Sequence, residues 1–489
     1  MSHAGKGARQ GFVVVIALAS MVLSACGSHL SRGELEAANG SLVGLRTSSG
    51  RDASGAVTDE TATGASAEGS AGTATGASGS GTAASSGKGA AGSAGRAASG
   101  GGAGASAGTN KPEILLGSFG AESGVLGAVS GPAPPAIRAW VPYINSHGGI
   151  NGHPVRVIQA DDGADPSRSQ SIVRKMVEED KVVAFFSTYS FTTSAVLPYL
   201  EQKKVPILGT IGADAGEDHS PMVFKPELGS DEGNAWSFIS PLDEAMPPDK
   251  RKVAILYCRE AAVCAAQKDQ FAKLLPFKGL TVVYEAEASL AQPDYTAEVL
   301  GARNAGADII ANLLDSASVI RVAQAVERQQ GYRPVLSGSH NLDQDLLLQG
   351  GDRLKGTIIA SRQPAYHTSP LLKFYRDAMA QYQPRGTKGS LGAGTFSAGK
   401  LLADVIGKGL PDGQVTSADF LKALLTTVKN ETLGGLYPGI TFGEAPEGRP
   451  YTNLCVVTIV FDGKTFNPFN PQSTFKCPPG WTTGKPAGG

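Results

Sequence analysis

The residues best placed to do chemistry are the five cysteines and one hydroxyl-rich loop. Cys26 stands directly after the small residues Ser24 and Ala25, at the end of an apolar run. The other four, Cys258, Cys264, Cys455 and Cys477, are an even number, as a disulfide framework in an oxidising compartment requires. Sequence proximity favours Cys258–Cys264 and Cys455–Cys477, at roughly 2 to 3 kcal/mol for the shorter loop and slightly more for the longer. Four unpaired buried thiols are the alternative. Zinc is disfavoured, because neither pair has C-x-x-C spacing and the seven histidines are scattered. The loop Ser187-Thr188-Tyr189-Ser190-Phe191-Thr192-Thr193 follows an apolar strand and opens a helix. Exposed N–H groups, a favourable helix dipole and several hydroxyls there suit a carboxylate or hydroxyl ligand, or serve only to cap the helix.

Catalytic constellations are missing from the sequence. Gly394 to Gly399 followed by Lys400 imitates a phosphate-binding loop, but Leu401 stands where a hydroxyl must hold magnesium. There is no G-x-S-x-G elbow and no H-E-x-x-H helix. Glu178 and Glu179 sit on a solvated helix face or its end. The reading is of a protein that is not an enzyme and needs no cofactor or metal.

The elements that would position these groups begin after a long non-globular start. Lys6 and Arg9 precede the apolar run Phe12 to Leu23, too short for a comfortable membrane span of about 20 residues. It reads as a secretory signal peptide. With Leu23-Ser24-Ala25-Cys26 it resembles a bacterial lipoprotein signal, which implies cleavage before Cys26 and lipidation of its thiol. An ordinary signal peptide with a chance cysteine is the alternative. Residues 27 to 110 are dominated by Gly, Ala, Ser and Thr and cannot bury enough apolar surface to offset their ordering entropy. This tether would reach on the order of 50 Å. The net charge of -1 among 489 residues gives no field for nucleic acid.

From Lys111 apolar strand-like runs alternate with amphipathic helices. The strands are Ile114 to Leu116, Val155 to Ala160, Val182 to Phe186, Pro206 to Leu208, Val253 to Tyr257, Leu280 to Tyr284, Ile309 to Leu313 and Ile358 to Ala360. Asp165-Pro166 marks one helix start, and Gly148-Gly149 ends the first helix. This alternation predicts an α/β protein with parallel sheets covered on both faces. The chain after the tether exceeds one such sheet, so two doubly wound lobes joined by a multi-strand hinge are expected. The division is signal 1–25, lipidated cysteine and tether 26–110, lobe I 111–228, lobe II 229–361, lobe I again 362–440, and lobe II with a tail 441–489. A hairpin is expected around Asp462-Gly463.

Gly148-Gly149-Ile150-Asn151-Gly152-His153-Pro154-Val155, followed by Asp161-Asp162 and Asp165-Pro166, resembles the type I periplasmic binding proteins. More narrowly it is similar to their leucine/isoleucine/valine-binding branch, and the similarity runs over residues 112 to 470. The resemblance implies a ligand held between the lobes at the C-terminal strand ends. It puts Ser190 and Thr192 at the ligand carboxylate, with Tyr189 and Phe191 beside them, and Gly212, Ala213 and Asp214 at a second main-chain contact. Ala262 and Val263 replace an aromatic residue of the pattern, and Ser339 and His340 replace its acidic residue. Asp315 then substitutes for that acid or is a solvated loop residue. Tyr189, Phe191, Tyr366 and Tyr437 stack on a flat ligand or pack between helices. The function implied is an ABC importer's solute-binding lipoprotein, a monomer working with permease subunits and held to the membrane at Cys26. Its ligand is a small polar or carboxylate-bearing molecule such as an amino acid or amide. The alternative is a surface receptor of the same fold not coupled to transport.

Overall fold

The computed structural model describes residues 111–227, 232–338, 340, 342–443, 453–470 and 475–477. Cys26, the signal, the tether and Ser339 lie outside the described residues.

The first sheet is parallel throughout. It holds β1 (Ile114–Gly120), β2 (Val155–Asp161), β3 (Ala184–Thr188), β4 (Ile207–Thr210) and β5 (Val223–Phe224), in the order β2-β1-β3-β4-β5. Its residues alternate between two cores, as strands buried on both faces must. Leu116, Ala184 and Phe186 face one core and Phe119, Phe185 and Ile207 the other. Four helices belong to this stretch, namely α1 (Gly124–Ser130), α2 (Ala133–Ser146), α3 (Pro166–Glu178) and α4 (Leu197–Lys203). The expected punctuation is present. Asp165 accepts from the N–H groups of Ser167 and Arg168 at 2.8 and 2.9 Å, which caps α3. Gly149 has φ +72°, and a Cβ there would lie 2.0 Å from the His153 carbonyl, so only glycine makes the turn into β2.

The second lobe adds α5 (Glu232–Ala245), β6 (Lys252–Cys258), α6 (Ala262–Leu274), β7 (Thr281–Ala288), α7 (Thr296–Asn304), β8 (Ile309–Leu313), α8 (Ser316–Arg328), β9 (Val335–Gly338), α9 (Gln344–Leu348) and β10 (Ile358–Ser361). The chain then returns to lobe I with α10 (Lys373–Tyr382), α11 (Ser390–Asp404) and α12 (Ser417–Thr427). Tyr375, Met379, Phe396, Leu401, Phe420 and Leu424 from these helices join the core of Trp140 and Phe186. Lobe I is thus completed by helices that follow lobe II in sequence. The chain ends on the second sheet with β11 (Val457–Phe461) and β12 (Phe466–Pro468).

That sheet runs β12-β11-β10-β9-β8-β6-β7. It is parallel from β7 to β10, but β11 pairs antiparallel with β10 and with β12. The hairpin at Asp462-Gly463 makes the last two strands antiparallel, so lobe II is a mixed sheet, not a wholly parallel one. Both expected disulfides form. Cys258–Cys264 ties the end of β6 to the first turn of α6, with the Cα atoms 5.3 Å apart. Cys455–Cys477, at 4.1 Å, fastens the last described residues to the approach of β11.

Candidate functional site

Strand C-termini gather the loops where a ligand would be met. In β3 the backbone turns at Ser187, whose φ of +49° is uncommon for a residue with a side chain. Ser187 Oγ is held by Thr395 Oγ1 of α11 at 2.6 Å, and its carbonyl accepts from Ser118 at 3.1 Å. The turn delivers the hydroxyl loop to the strand end. There Ser190 donates to Asp162 Oδ2 at 2.6 Å, Ser169 donates to the same oxygen at 3.0 Å, and the Thr192 N–H donates to Ser190 Oγ at 3.0 Å. Thr192 Oγ1 lies 2.8 Å from Ser169 Oγ. Ser190 is buried and its hydroxyl is engaged within lobe I, so a ligand carboxylate approaching it competes with Asp162.

The neighbouring residues are built into the same wall. Tyr189 is fully buried and donates to Glu122 Oε1 at 2.7 Å, and burial together with that carboxylate raises its phenol pKa. Its ring packs with Ile137, Ile211, Ala213 and Leu391, and Phe191 covers the edge of that cluster. Gly212 has φ +64° and donates to Thr210 Oγ1 at 3.1 Å. Asp214 takes the Ser194 N–H at 2.7 Å and the Gly216 N–H at 3.1 Å, so it fastens a short helical turn. In lobe II, Asp315 is a buried N-cap of α8 that accepts from the Ser318 N–H at 2.9 Å. The expectation of a solvated loop residue is corrected by that burial, because a cap must lie against its helix. Tyr366 hydrogen-bonds Asp345 and lies edge-on to Tyr375 at 5.8 Å, while Tyr437 is buried in the lobe I core.

Between the lobes lies a buried polar junction. Arg362, directly after β10, donates through Nη1 to the Thr210 carbonyl at 3.2 Å and through Nη2 to the Ile211 carbonyl, both at the end of β4. Nη2 also donates to His340 Nε2, and His340 Nδ1 stands 3.0 Å from Ser237 Oγ of α5. A histidine that accepts from a guanidinium must be neutral at that nitrogen, and burial beside Arg362 holds its pKa well below 6.5. Glu227, on the crossing strand that leads out of lobe I after β5, lies 3.5 Å from Arg362 Nη1 and accepts from Gln363. Burial pushes its pKa up to about 7 although Arg362 and Gln363 oppose the shift. A cavity of about 10 Å³, room for about one water, is lined here by Thr210, Glu227, Arg362, Leu391 and Thr395. A larger groove of about 520 Å³ lies at the opposite ends of the strands, against Tyr143, Phe374, Phe396 and Gly149 of lobe I.

The sequence pattern of the periplasmic binding proteins matches residues 113–464. The chain belongs to the periplasmic binding protein family. Its members bind solutes and do not transform them, so this periplasmic binding protein is not an enzyme.

Solved structures share its fold. A possible leucine/isoleucine/valine-binding protein from Rhodopirellula baltica SH 1 superposes with a TM-score of 0.60 at 15% identity, over 74% of this chain and 97% of that one. A solute-binding protein of an ABC transporter from Rhodopseudomonas palustris BisB5, in complex with 3,4-dihydroxybenzoic acid, gives 0.59 at 21% identity, over 76% and 99%. A branched-chain amino-acid ABC transporter protein from Thermus thermophilus with bound valine gives 0.60 at 15%, over 75% and 96%. An amino acid binding protein from Pseudomonas aeruginosa PAO1 is 33% identical over 58 residues, a match spanning 12% of this chain and only 15% of that relative.

Reading the sequence for this periplasmic binding protein brings out His340 but not its partner. Arg362 carried a signal, being a lone charge at the end of the extended apolar stretch Ile358-Ile359-Ala360-Ser361-Arg362, whereas Glu227 stands two residues after Lys225 in Val223-Phe224-Lys225-Pro226-Glu227. Their pairing across more than a hundred residues carried none.

Proposed function

We propose that this is an extracytoplasmic solute-binding lipoprotein of an ABC importer, which captures a small polar or carboxylate-bearing molecule, such as an amino acid, an amide or a related acid, between its two lobes. The observation that carries the reading is the junction at the strand ends, where Arg362, on the segment that leaves β10 of lobe II, reaches main-chain acceptors at the end of β4 in lobe I and His340 of lobe II. Contacts that need both lobes together are what a ligand-driven closure requires, since a ligand shifts the hinge only by its differential affinity for the closed state. The valine and dihydroxybenzoate carried by two proteins of the same fold support a small carboxylate as the ligand class. In this reading Ser190, Thr192, Gly212 and Ala213 present the lobe I side of the site, His340 lies on the lobe II side, and Cys26 carries the lipid.

The test is equilibrium binding across amino acids, amides and aromatic acids, with small-angle scattering of the same samples. A ligand that binds and makes the protein more compact is the expected outcome. Ser190→Ala should weaken that ligand in a protein that still folds, with a lowered melting temperature because Asp162 and the Thr192 N–H each lose a partner, and an unaltered Kd removes Ser190 from the site.

A further inference from the structure

Arg362 sits where the two lobes meet and is 1% exposed. Its guanidinium is shared among the Thr210 and Ile211 carbonyls of lobe I, His340 of lobe II and the Glu227 carboxylate of the crossing strand. A planar group with five N–H donors in fixed directions can serve several acceptors at once, so one side chain grips both sides of the boundary. The lobe II side of the grip is braced, because His340 Nδ1 stands 3.0 Å from Ser237 Oγ of α5. Lys388 and Asp345 also face each other across this boundary, at 3.9 Å, but both are partly exposed and water screens them. The Arg362 contacts lie out of water, where a hydrogen bond to a charged group is stronger.

The guanidinium occupies the strand end where a solute between the lobes would lie. The two carbonyls it takes belong to the end of β4 and lead directly into Gly212 and Ala213. Neighbouring donors of lobe I are engaged within the protein as well. The Gly212 N–H donates to Thr210 Oγ1 at 3.1 Å, the Thr192 N–H to Ser190 Oγ at 3.0 Å, and Ser190 to Asp162 at 2.6 Å. The cavity beside Arg362 and Thr210 holds about 10 Å³, against roughly 300–1,000 Å³ for a small-molecule site. A solute therefore reaches this strand end only when the lobes part and Arg362 releases its lobe I acceptors. Because Arg362 is tied to the end of β10, its contacts re-form without the loss of translational freedom that a free solute undergoes.

We propose that Arg362 is a built-in occupant of the cleft, a guanidinium that latches the lobes together without solute and that a solute must displace from the β4 carbonyls. This rests on the solute-binding reading and adds to it a competitor carried by the chain. The experiment uses the full Cys26→Ser chain with spin labels on Glu179→Cys of lobe I and Asn304→Cys of lobe II, both exposed positions, and measures the distance between them without solute. In the protein that keeps Arg362, the distances should cluster at the value set by the latched structure. Arg362→Met should shift most of the population to longer distances. So should Arg362→Met combined with Glu227→Gln, which removes both buried charges and leaves neither unpaired. Lys388→Ala, which removes only the partly exposed pair with Asp345, should not. Short distances in both Arg362 variants overturn the latch. A protein already open with Arg362 in place overturns it too, as does Lys388→Ala opening the lobes equally far. A second arm titrates L-valine and 3,4-dihydroxybenzoate, the solutes carried by two proteins of the same fold. The probe that binds should do so at least about tenfold tighter in the Arg362 variants, since the latched population no longer competes with it. Weaker binding would make Arg362 a ligand contact and overturn its role as competitor. The distance measurement needs no solute, so parted lobes in variants that bind neither probe uphold the latch and count against the proposed function alone.

Discussion

Glu227 shows how a single side chain reports on the junction. Its carboxyl is buried against Gly394, where a Cβ would lie 2.5 Å from Oε2, and its pKa rises to about 7 from an ordinary 4.5. The folded state therefore keeps a proton that the unfolded chain releases. The stabilisation from that proton is fully present below pH 4.5 and is lost as pH rises through about 7. His340 acts in the opposite sense. Its pKa is held below 6.5, so it favours the folded state above 6.5 and costs stability as pH falls below that value. Glu227→Gln should remove the first dependence and leave the second. Thermal unfolding of both proteins at pH 5 and pH 8 checks this. The variant should lose less stability, or gain more, than the wild type between those pH values, and parallel behaviour would mean that Glu227 is not the titrating group.

At the scale of elements, α11 explains the glycine run that imitates a phosphate loop. Gly392, Gly394 and Gly399 lie inside a buried helix, where a Cβ would meet the Tyr375 hydroxyl at 2.5 Å, the Glu227 carboxylate at 2.5 Å and the Trp140 indole at 2.1 Å. These glycines make room for side chains from α10, the crossing strand and α2. The helix pays a propensity penalty for each, roughly 0.5–1 kcal/mol against alanine. Gly394→Ala would recover that propensity and still destabilise, because the new methyl displaces a carboxylate held by Arg362. A net loss of about 1–3 kcal/mol in chemical denaturation is expected. Gain of stability would show that Glu227 can move without cost.

For the whole molecule, the described residues contain no helix long and apolar enough to cross a membrane. In the proposed function the membrane attachment is at Cys26, since two or more acyl chains give stable anchoring where one does not. Cys26→Ser should move the protein from the membrane fraction to the soluble fraction without altering ligand affinity. Retention on the membrane after that change would refute the anchor.

Much of this architecture was legible in the linear chain because it follows from local rules. Apolar runs of three to six residues between amphipathic segments specify strands covered on both faces, Asp165-Pro166 caps a helix, and Gly148-Gly149 ends one. Nearby cysteines also pair with little loop-closure cost. The antiparallel pairing of β11 with β10 and the meeting of Arg362 with Thr210, Glu227 and His340 were decided only by the tertiary structure. Their partners lie tens to hundreds of residues apart. Burial sets the protonation of Glu227 and His340, and burial exists only once both lobes have folded against the crossing strands.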